Sequence, residues 1–199
     1  MAIRPYPKDL EEEFTMVSGR EVLLRPIRPE DEPKHYELLS KVTSEDIRFR
    51  FFGLVSKLPH SEMARLTQID YEREMAFIAV PALGGPGGTL GVVRAICDPD
   101  NERAEFAIIV RSDMKGQGLG AKLLEKLIRH LRAHGTAQVV GEVLASKLGA
   151  ETRAAMPPDE MMDMAMRRGP YGEKVPQLGM ELLRRHPSGV DLGALQPSC

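Results

Sequence analysis

The stretch "AEFAIIVRSDMKGQGLGAKLLEKLI" (residues 104–128) decides the fold, because it joins three patterns in one run of chain. The apolar and β-branched segment at 104–112 predicts a strand. Three glycines at alternate positions follow, and a stripe of leucines and isoleucine at helical spacing then predicts a helix over 120–135. A glycine-rich turn between a strand and a helix exposes the unpaired N–H groups of the first helical turn.

The glycines Gly116, Gly118 and Gly120 indicate a site for an anion. Glycine permits positive φ, so that successive N–H groups can converge on one point, and the helix N-terminus adds a partial positive charge. Phosphate and pyrophosphate groups bind at such junctions. A tight turn that only lets helix and strand pack closely is the structural alternative.

Two nucleotide-binding motifs compete for the same glycines. The P-loop pattern is excluded, because Lys122 follows Ala121 and no Ser or Thr comes next. The Rossmann fingerprint G-x-G-x-x-A is satisfied by Gly116, Gly118 and Ala121, and Glu142 lies at roughly the expected distance beyond it. Against a Rossmann fold, the polar "RSDMK" separates the strand from the first glycine, and the preceding predicted strands are mostly antiparallel.

The rest of the chain predicts a mixed α/β (α+β) sheet, mostly antiparallel and flanked by helices. Residues 1–14 are expected to be an extended lead-in, because Pro5 and Pro7 oppose a helix there. We predict a lead-in or linker at 1–18, one domain at 19–184 and a flexible tail at 185–199. Strands are predicted at about 21–28, 74–82, 89–99, 104–112, 137–144 and 174–183, and helices at 32–42, 43–53, 120–135 and 159–169.

Composition narrows the possible functions. A net charge of −2 gives no general electrostatic reason to bind nucleic acid or an anionic membrane. The two cysteines, Cys97 and Cys199, lie far apart, which is neither a disulfide framework nor a metal-binding pattern and fits a reducing cytosol. The N-terminus lacks the apolar region of a signal peptide, and no apolar run approaches the length of a membrane span. We therefore predict a cytoplasmic protein without a metal.

The segment Lys115-Gly116-Gln117-Gly118-Leu119-Gly120 closely resembles the acyl-CoA pyrophosphate motif [RQ]-x-x-G-x-[GA] of the GNAT superfamily of N-acetyltransferases. Lysine replaces the usual Arg or Gln at the first position, which keeps a cation but changes its hydrogen-bonding geometry. The order of the predicted elements, from about Arg20 to residue 145, also matches the GNAT fold, with its splayed central strands.

A closer resemblance is to the GNAT domain of bacterial Pat-type protein lysine acetyltransferases, in which that domain is usually fused to an acyl-CoA-synthetase-like region. The segments that carry this resemblance are "IRPYP" (3–7), "LLRPIRPED" (23–31), "SEDIRFRFFG" (44–53), "AEFAIIVRSDMKGQGLG" (104–120) and "GEVL" (141–144). The resemblance implies acetyl-CoA as co-substrate and a protein lysine as acceptor, for example on an acyl-CoA synthetase.

The same resemblance implies where acetyl-CoA binds. The pyrophosphate is expected on the amides of residues 115–121, and the pantetheine arm is expected to pair with the backbone of 108–110 like an added strand. A backbone N–H near Ile109 or Val110 could then stabilise the oxyanion. The implied binding residues are Ile108, Ile109, Val110, Lys115, Gly116, Gln117, Gly118, Leu119, Gly120 and Ala121.

Glu105 is the predicted general base, since an attacking lysine must lose its proton and lysine has a reference pKa of about 10.4. It is a carboxylate in an otherwise apolar strand and matches the catalytic glutamate of the Pat-like domains. A solvent-facing glutamate without catalytic role is the alternative for this position. Other candidates are less favoured: the turn acids Asp98, Asp100 and Glu102 as bases, and Tyr171 as the acid for the leaving thiolate.

The chain departs from the Pat-like pattern after "GEVL". Asp159 stands near the position of an expected Asn, and Pro170 replaces an aromatic residue. Two further functions therefore remain open: a non-catalytic acyl-CoA-binding regulatory domain, and an acetyltransferase for small-molecule amines.

Overall fold

One seven-stranded sheet organises the computed structural model, which describes residues 5–43, 58–82, 85, 87–145 and 150–167. The strands lie in the sheet in the order in which they occur in the chain. They are β1 (Glu12–Thr15), β2 (Glu21–Pro26), β3 (Glu74–Pro81), β4 (Gly91–Cys97), β5 (Arg103–Val110), β6 (Gln138–Ala145) and β7 (Ala150–Met156).

Every neighbouring pair is antiparallel except β5 and β6, which are parallel. A parallel pair needs a crossover connection, and a helix supplies it here. The helices are α1 (Glu32–Ser40), α2 (His60–Thr67), α3 (Leu119–Ala133) and α4 (Pro158–Arg167), and α3 forms this crossover. The mostly antiparallel sheet excludes the Rossmann interpretation.

The two faces of the sheet bury separate hydrophobic cores. The larger core lies between the sheet and α3, whose stripe of Leu123, Leu124, Leu127, Ile128 and Leu131 is buried, as predicted. The smaller core lies on the other face, where α1 packs its Leu38 against Ile78, Val92 and Ile109. Residues that alternate along each strand therefore face different helices.

Strand β1 lies where the sequence predicts only an extended lead-in. It pairs with β2 and is also linked to α3, since Glu12 forms ion pairs with Lys122, Lys126 and Arg129 at 2.8–3.0 Å. Partial burial acts to raise the pKa of Glu12, but hydrogen bonds from the two lysines prevail and lower it to about 2. The edge strand is thus held by hydrogen bonds and by charge.

The other predicted elements that lie within the described residues are present in the structure, which also contains one helix and one strand that the sequence does not predict. The sequence predicts no helix at α2 and no strand at β7, which pairs with β6 from Val139–Met156 to Ala145–Ala150. The strand predicted over 174–183 and, from residue 44 onward, the helix predicted over 43–53 lie outside the described residues.

Candidate active site

The central strands β5 and β6 pair over only half of their length. Their register runs from Arg103 opposite Gln138 to Phe106 opposite Gly141, and then ends. Beyond this point β5 continues to Val110 along β4, and β6 continues to Ala145 along β7. The splayed central strands predicted from the sequence are therefore present, and they leave one edge of β5 open.

Strand alternation shows which backbone groups face this open edge. The N–H of Arg111 donates to the carbonyl oxygen of Leu90 at 2.9 Å, on the β4 side. Since successive residues of a strand direct their N–H groups to opposite edges, Ile109 also faces β4, whereas Ile108 and Val110 face the gap. Of the two N–H groups predicted from the sequence as oxyanion donors, that of Val110 faces the open edge and that of Ile109 faces β4.

A glycine lies at the point where the strands part. A Cβ on Gly141 would be 2.7 Å from the Phe106 ring, closer than real Cβ contacts allow. The ring is partly buried against the larger core, so it fills the space beside the β6 backbone. Phe106 and Gly141 are the last pair of the shared register.

The loop after β5 has a left-handed backbone conformation at two of the three glycines that the sequence predicts to bind an anion. Ser112–Met114 form a short 3-10 turn, and Gly116 and Gly118 have φ of 74° and 78°. Only glycine adopts these angles without strain. Gly118 caps α3, which begins at Leu119, one residue before the predicted start. The first turn of α3 contains no acidic residue, so its partial positive charge is not neutralised locally.

Two neighbouring segments hold the start of this loop. The residues that follow α1 contact the loop, because the Thr43 N–H donates to the Ser112 hydroxyl at 3.0 Å. Arg111 donates to the Gly87 carbonyl at 2.7 Å and forms a bidentate pair with Asp113. The Arg111 guanidinium holds the pKa of Asp113 below its usual range, so the pair is ionised at neutral pH.

The turn between β1 and β2 holds the end of the loop through Gln117. The Val17 N–H donates to the Gln117 carbonyl at 3.3 Å, and the Ser18 N–H donates to its side-chain oxygen at 3.0 Å. Gln117 therefore has a positioning role that the sequence does not reveal. Its neighbours Lys115 and Gly116 are exposed, while Leu119 is buried in the larger core.

Glu105 lies on the opposite face of β5 from α3, and its side chain is exposed. Its cross-strand partners are Ile96 on β4 and Val140 on β6, so its side chain lies within one residue of the end of the β5–β6 register. Ile96 is 53% exposed, although most of β4 is buried. The predicted base thus lies on the same strand as residues 108–110, whose edge beyond Phe106 is open.

The alternative acid–base candidates have other contacts or other locations. The Asp98 carboxylate accepts from the Glu102 N–H at 2.8 Å and closes the β4–β5 turn. Asp159, which the sequence places near the position of an expected Asn and not among these candidates, lies on α4 and pairs with Arg132 of α3 at 2.7 Å. Tyr171, the candidate acid, and Pro170, which replaces an aromatic residue, lie outside the described residues.

Comparison with known proteins identifies the class to which this architecture belongs. A sequence model of the acetyltransferase (GNAT) family matches residues 33–150. Acetyltransferase PA5475 of Pseudomonas aeruginosa is 28% identical over 167 residues, which are 84% of each protein.

Solved structures with the same fold include the GNAT domain of S. lividans PAT, with a TM-score of 0.66, 23% identity and coverage of 83% of this chain and 90% of that one. RimL, a ribosomal L7/L12 α-N-protein acetyltransferase solved in complex with coenzyme A, has a TM-score of 0.52, 16% identity and coverage of 68% and 77%.

The chain therefore belongs to the GNAT acetyltransferase family and is an N-acetyltransferase, with acetyl-CoA as its co-substrate. None of its described helices is long and apolar enough to cross a membrane. Within the described ranges, no group of three or more His, Cys, Asp or Glu residues could hold a metal ion.

Proposed function

We propose that this enzyme transfers the acetyl group of acetyl-CoA to the ε-amine of a protein lysine, in the cytoplasm, by direct attack with Glu105 as the general base. The observation that carries this proposal is the position of Glu105, an exposed carboxylate beside the point where β5 and β6 part. A base must come within hydrogen-bond reach of the attacking amine, and the position of this carboxylate beside the gap supports such a role.

The surroundings of Glu105 favour an acceptor with an aliphatic stem. Ile96 is directly opposite on β4 and more than half exposed, so it offers an apolar surface beside the carboxylate. The four methylene groups of a lysine side chain can lie against such a surface while the amine reaches the carboxylate. The likeness of the sequence to Pat-type lysine acetyltransferases supports a protein as the acceptor.

In the proposed reaction, acetyl-CoA binds with its pyrophosphate on the amides of residues 115–121 and its pantetheine along the open edge of β5. Glu105 accepts a proton from the lysine ammonium, and the neutral amine attacks the thioester carbonyl carbon. The Val110 N–H stabilises the oxyanion that forms. The C–S bond then breaks, and the CoA thiolate leaves with the bonding pair. The amide nitrogen loses its second proton, and the thiolate acquires one.

The proposal is tested by acetyl-CoA turnover with a purified acyl-CoA synthetase as acceptor. We expect Glu105→Gln to lower kcat/KM by at least about 100-fold, because general-base catalysis typically contributes 10²–10⁴. Acetyl-CoA binding measured by calorimetry should be unchanged, since the carboxylate contacts the acceptor. The control is Glu102→Gln, which removes an exposed carboxylate only three residues away and should retain wild-type turnover.

Other results would contradict the proposal in different ways. Full turnover by Glu105→Gln would exclude the glutamate as base. Turnover on polyamines or amino acids, with none on proteins, would assign a small-molecule acceptor instead. Acetyl-CoA binding without transfer to any amine would indicate a regulatory domain.

A further inference from the structure

The glycine-rich loop between β3 and β4 lies against charged side chains from two other elements. Gly87 and Gly88 have φ of 126° and 58°, which residues with a side chain rarely adopt. A Cβ on Gly88 would collide with the carboxylate of Glu37 on α1. A Cβ on Gly87 would be 3.7 Å from Nη1 of Arg111, the residue that follows β5. The two glycines thus leave room for a guanidinium beside the loop, which the proposed reaction does not yet use.

Arg111 has a hydrogen-bond partner for each of its nitrogen and oxygen atoms. Its backbone N–H donates to the Leu90 carbonyl, and its carbonyl accepts from the Met114 N–H, both at 2.9 Å. In the side chain, Nη1 donates to the Gly87 carbonyl at 2.7 Å. Nε and Nη2 donate to the two carboxylate oxygens of Asp113 at 3.0 and 2.7 Å. The side chain is 11% exposed, so these bonds are largely shielded from water.

The planar guanidinium suits this double attachment. One edge of its fork matches the carboxylate of Asp113, while the remaining nitrogen reaches the Gly87 carbonyl. A lysine ammonium at the same position could not hold a bidentate pair and a third acceptor in one fixed geometry. The hydrogen bond with Asp113 raises the pKa of Arg111, although burial opposes this effect, and the Glu37 carboxylate raises it further, so the guanidinium stays protonated.

The attachment fixes the direction in which the chain leaves β5. Asp113 lies in the turn Ser112–Met114, directly before the segment 115–121. Gly87 belongs to the loop between β3 and β4, so Arg111 ties the turn to the sheet. A change in the turn would move the amides of 115–121, because only the turn separates them from Arg111 at the end of β5.

We propose that Arg111 is a positioning residue for acetyl-CoA, which holds the turn Ser112–Met114 through Gly87 and Asp113 so that the amides of 115–121 converge on the pyrophosphate. The inference rests on the proposed function, which assigns the pyrophosphate to those amides. Because all three guanidinium nitrogens are bonded within the protein, Arg111 acts through the loop and not as a direct ligand of a phosphate.

The test compares two acetyl donors, acetyl-CoA and S-acetylpantetheine, which has the same thioester arm but no pyrophosphate. Arg111→Met should raise the calorimetric Kd of acetyl-CoA about 10-fold, as expected for the loss of hydrogen bonds to a charged group. With an acyl-CoA synthetase as acceptor, it should lower kcat/KM for acetyl-CoA by a similar factor and leave kcat/KM for S-acetylpantetheine at the wild-type value. A general loss of packing would instead lower kcat/KM for both donors.

Asp113→Asn provides a second variant in case Arg111→Met does not fold, because the Asp113 side chain is 51% exposed. The positioning role predicts that Asp113→Asn binds acetyl-CoA about 3-fold more weakly. Direct attraction between the charge of the loop and the anionic co-substrate predicts tighter binding, since a negative charge is removed. Arg111→Lys separates the same two cases, because positioning predicts weaker binding and charge alone predicts wild-type binding. The matched control Asp9→Asn, which changes an exposed aspartate before β1, should bind acetyl-CoA like the wild type.

Gly116→Val distinguishes a failure of this inference from a failure of the proposed function, because it alters the loop itself at a φ of 74°. If it impairs the use of acetyl-CoA but not of S-acetylpantetheine, the pyrophosphate assignment stands. A wild-type Kd of Arg111→Met, or tighter binding by Asp113→Asn, would then overturn the inference alone. If Gly116→Val does not distinguish the donors, the pyrophosphate assignment fails and the inference fails with it. The calorimetric Kd needs no acceptor, so it does not depend on Glu105 as the base.

Discussion

The absence of a side chain at Gly141 leaves room for the Phe106 ring beside the last pair of the β5–β6 register. Gly141→Ala should destabilise the protein by about 1–3 kcal/mol, because the new methyl group would be 2.7 Å from the Phe106 ring and would force ring or strand to move. Urea denaturation measures this loss. In a Phe106→Leu background, the same Gly141→Ala substitution should lower the free energy of unfolding by less. Equal costs in both backgrounds would show that the ring does not determine the strain.

The sequence reveals some of these residues and not others, and the reason is the range of their contacts. Glu105 is conspicuous because a charge interrupts an apolar strand, and Gly116 and Gly118 are conspicuous by their spacing. The need for glycine at position 141 comes from the ring of Phe106 on β5. The burial of the Arg94 side chain on β4 depends on its ion pair with Glu74 on β3. Such pairs can be identified only when the strand register is known, because a shift of the register by one residue would move every side chain to the other face of the sheet.

At the scale of elements, the loop 111–118 is positioned by three other segments of the chain: the residues that follow α1, the β3–β4 loop at Gly87, and the β1–β2 turn. Gln117→Leu removes the side-chain bond to Ser18 and should weaken acetyl-CoA binding about 3–10-fold, as expected for the loss of one hydrogen bond. Calorimetry gives the Kd, and kcat at saturating acetyl-CoA should change little.

A matched variant separates this local effect from a general loss of stability. Gln68→Leu changes an exposed glutamine at the end of α2, away from the loop, and should bind acetyl-CoA like the wild type. Equal affinity of the Gln117 and Gln68 variants would contradict the positioning role of the β1–β2 turn.

The elements that the sequence predicts are those with a strong local pattern. Strand β5 and helix α3 combine branched or leucine-rich stripes with glycine boundaries. Strand β7, "AETRAAM", has no branched aliphatic residue and depends on its pairing with β6. Strand β1 has only four residues, and two of them are acidic, which is typical of an exposed edge strand. Its Glu12 stabilises it through ion pairs with α3.

At the scale of the whole molecule, two groups should control stability in acid at different pH values. His130 packs edge-on against Phe77 and stacks on His134, and its burial, followed by the charges of His134 and Lys126, lowers its pKa to about 4. Because this is below the ordinary value of 6.5, the unfolded chain binds a proton here that the folded chain does not. Stability therefore falls as the pH decreases from 6.5 to about 4.

Glu12 acts in a lower window, because its stabilising ion pairs are fully present above pH 4.5 and are lost as the pH falls to about 2. His130→Phe should therefore remove much of the stability loss between pH 7 and pH 5, about 1 kcal/mol after allowance for partial exposure, and leave the Glu12 window unchanged. Urea denaturation at both pH values measures the difference. If His130→Phe keeps the wild-type slope of stability against pH, the burial of this histidine is not what links the fold to pH.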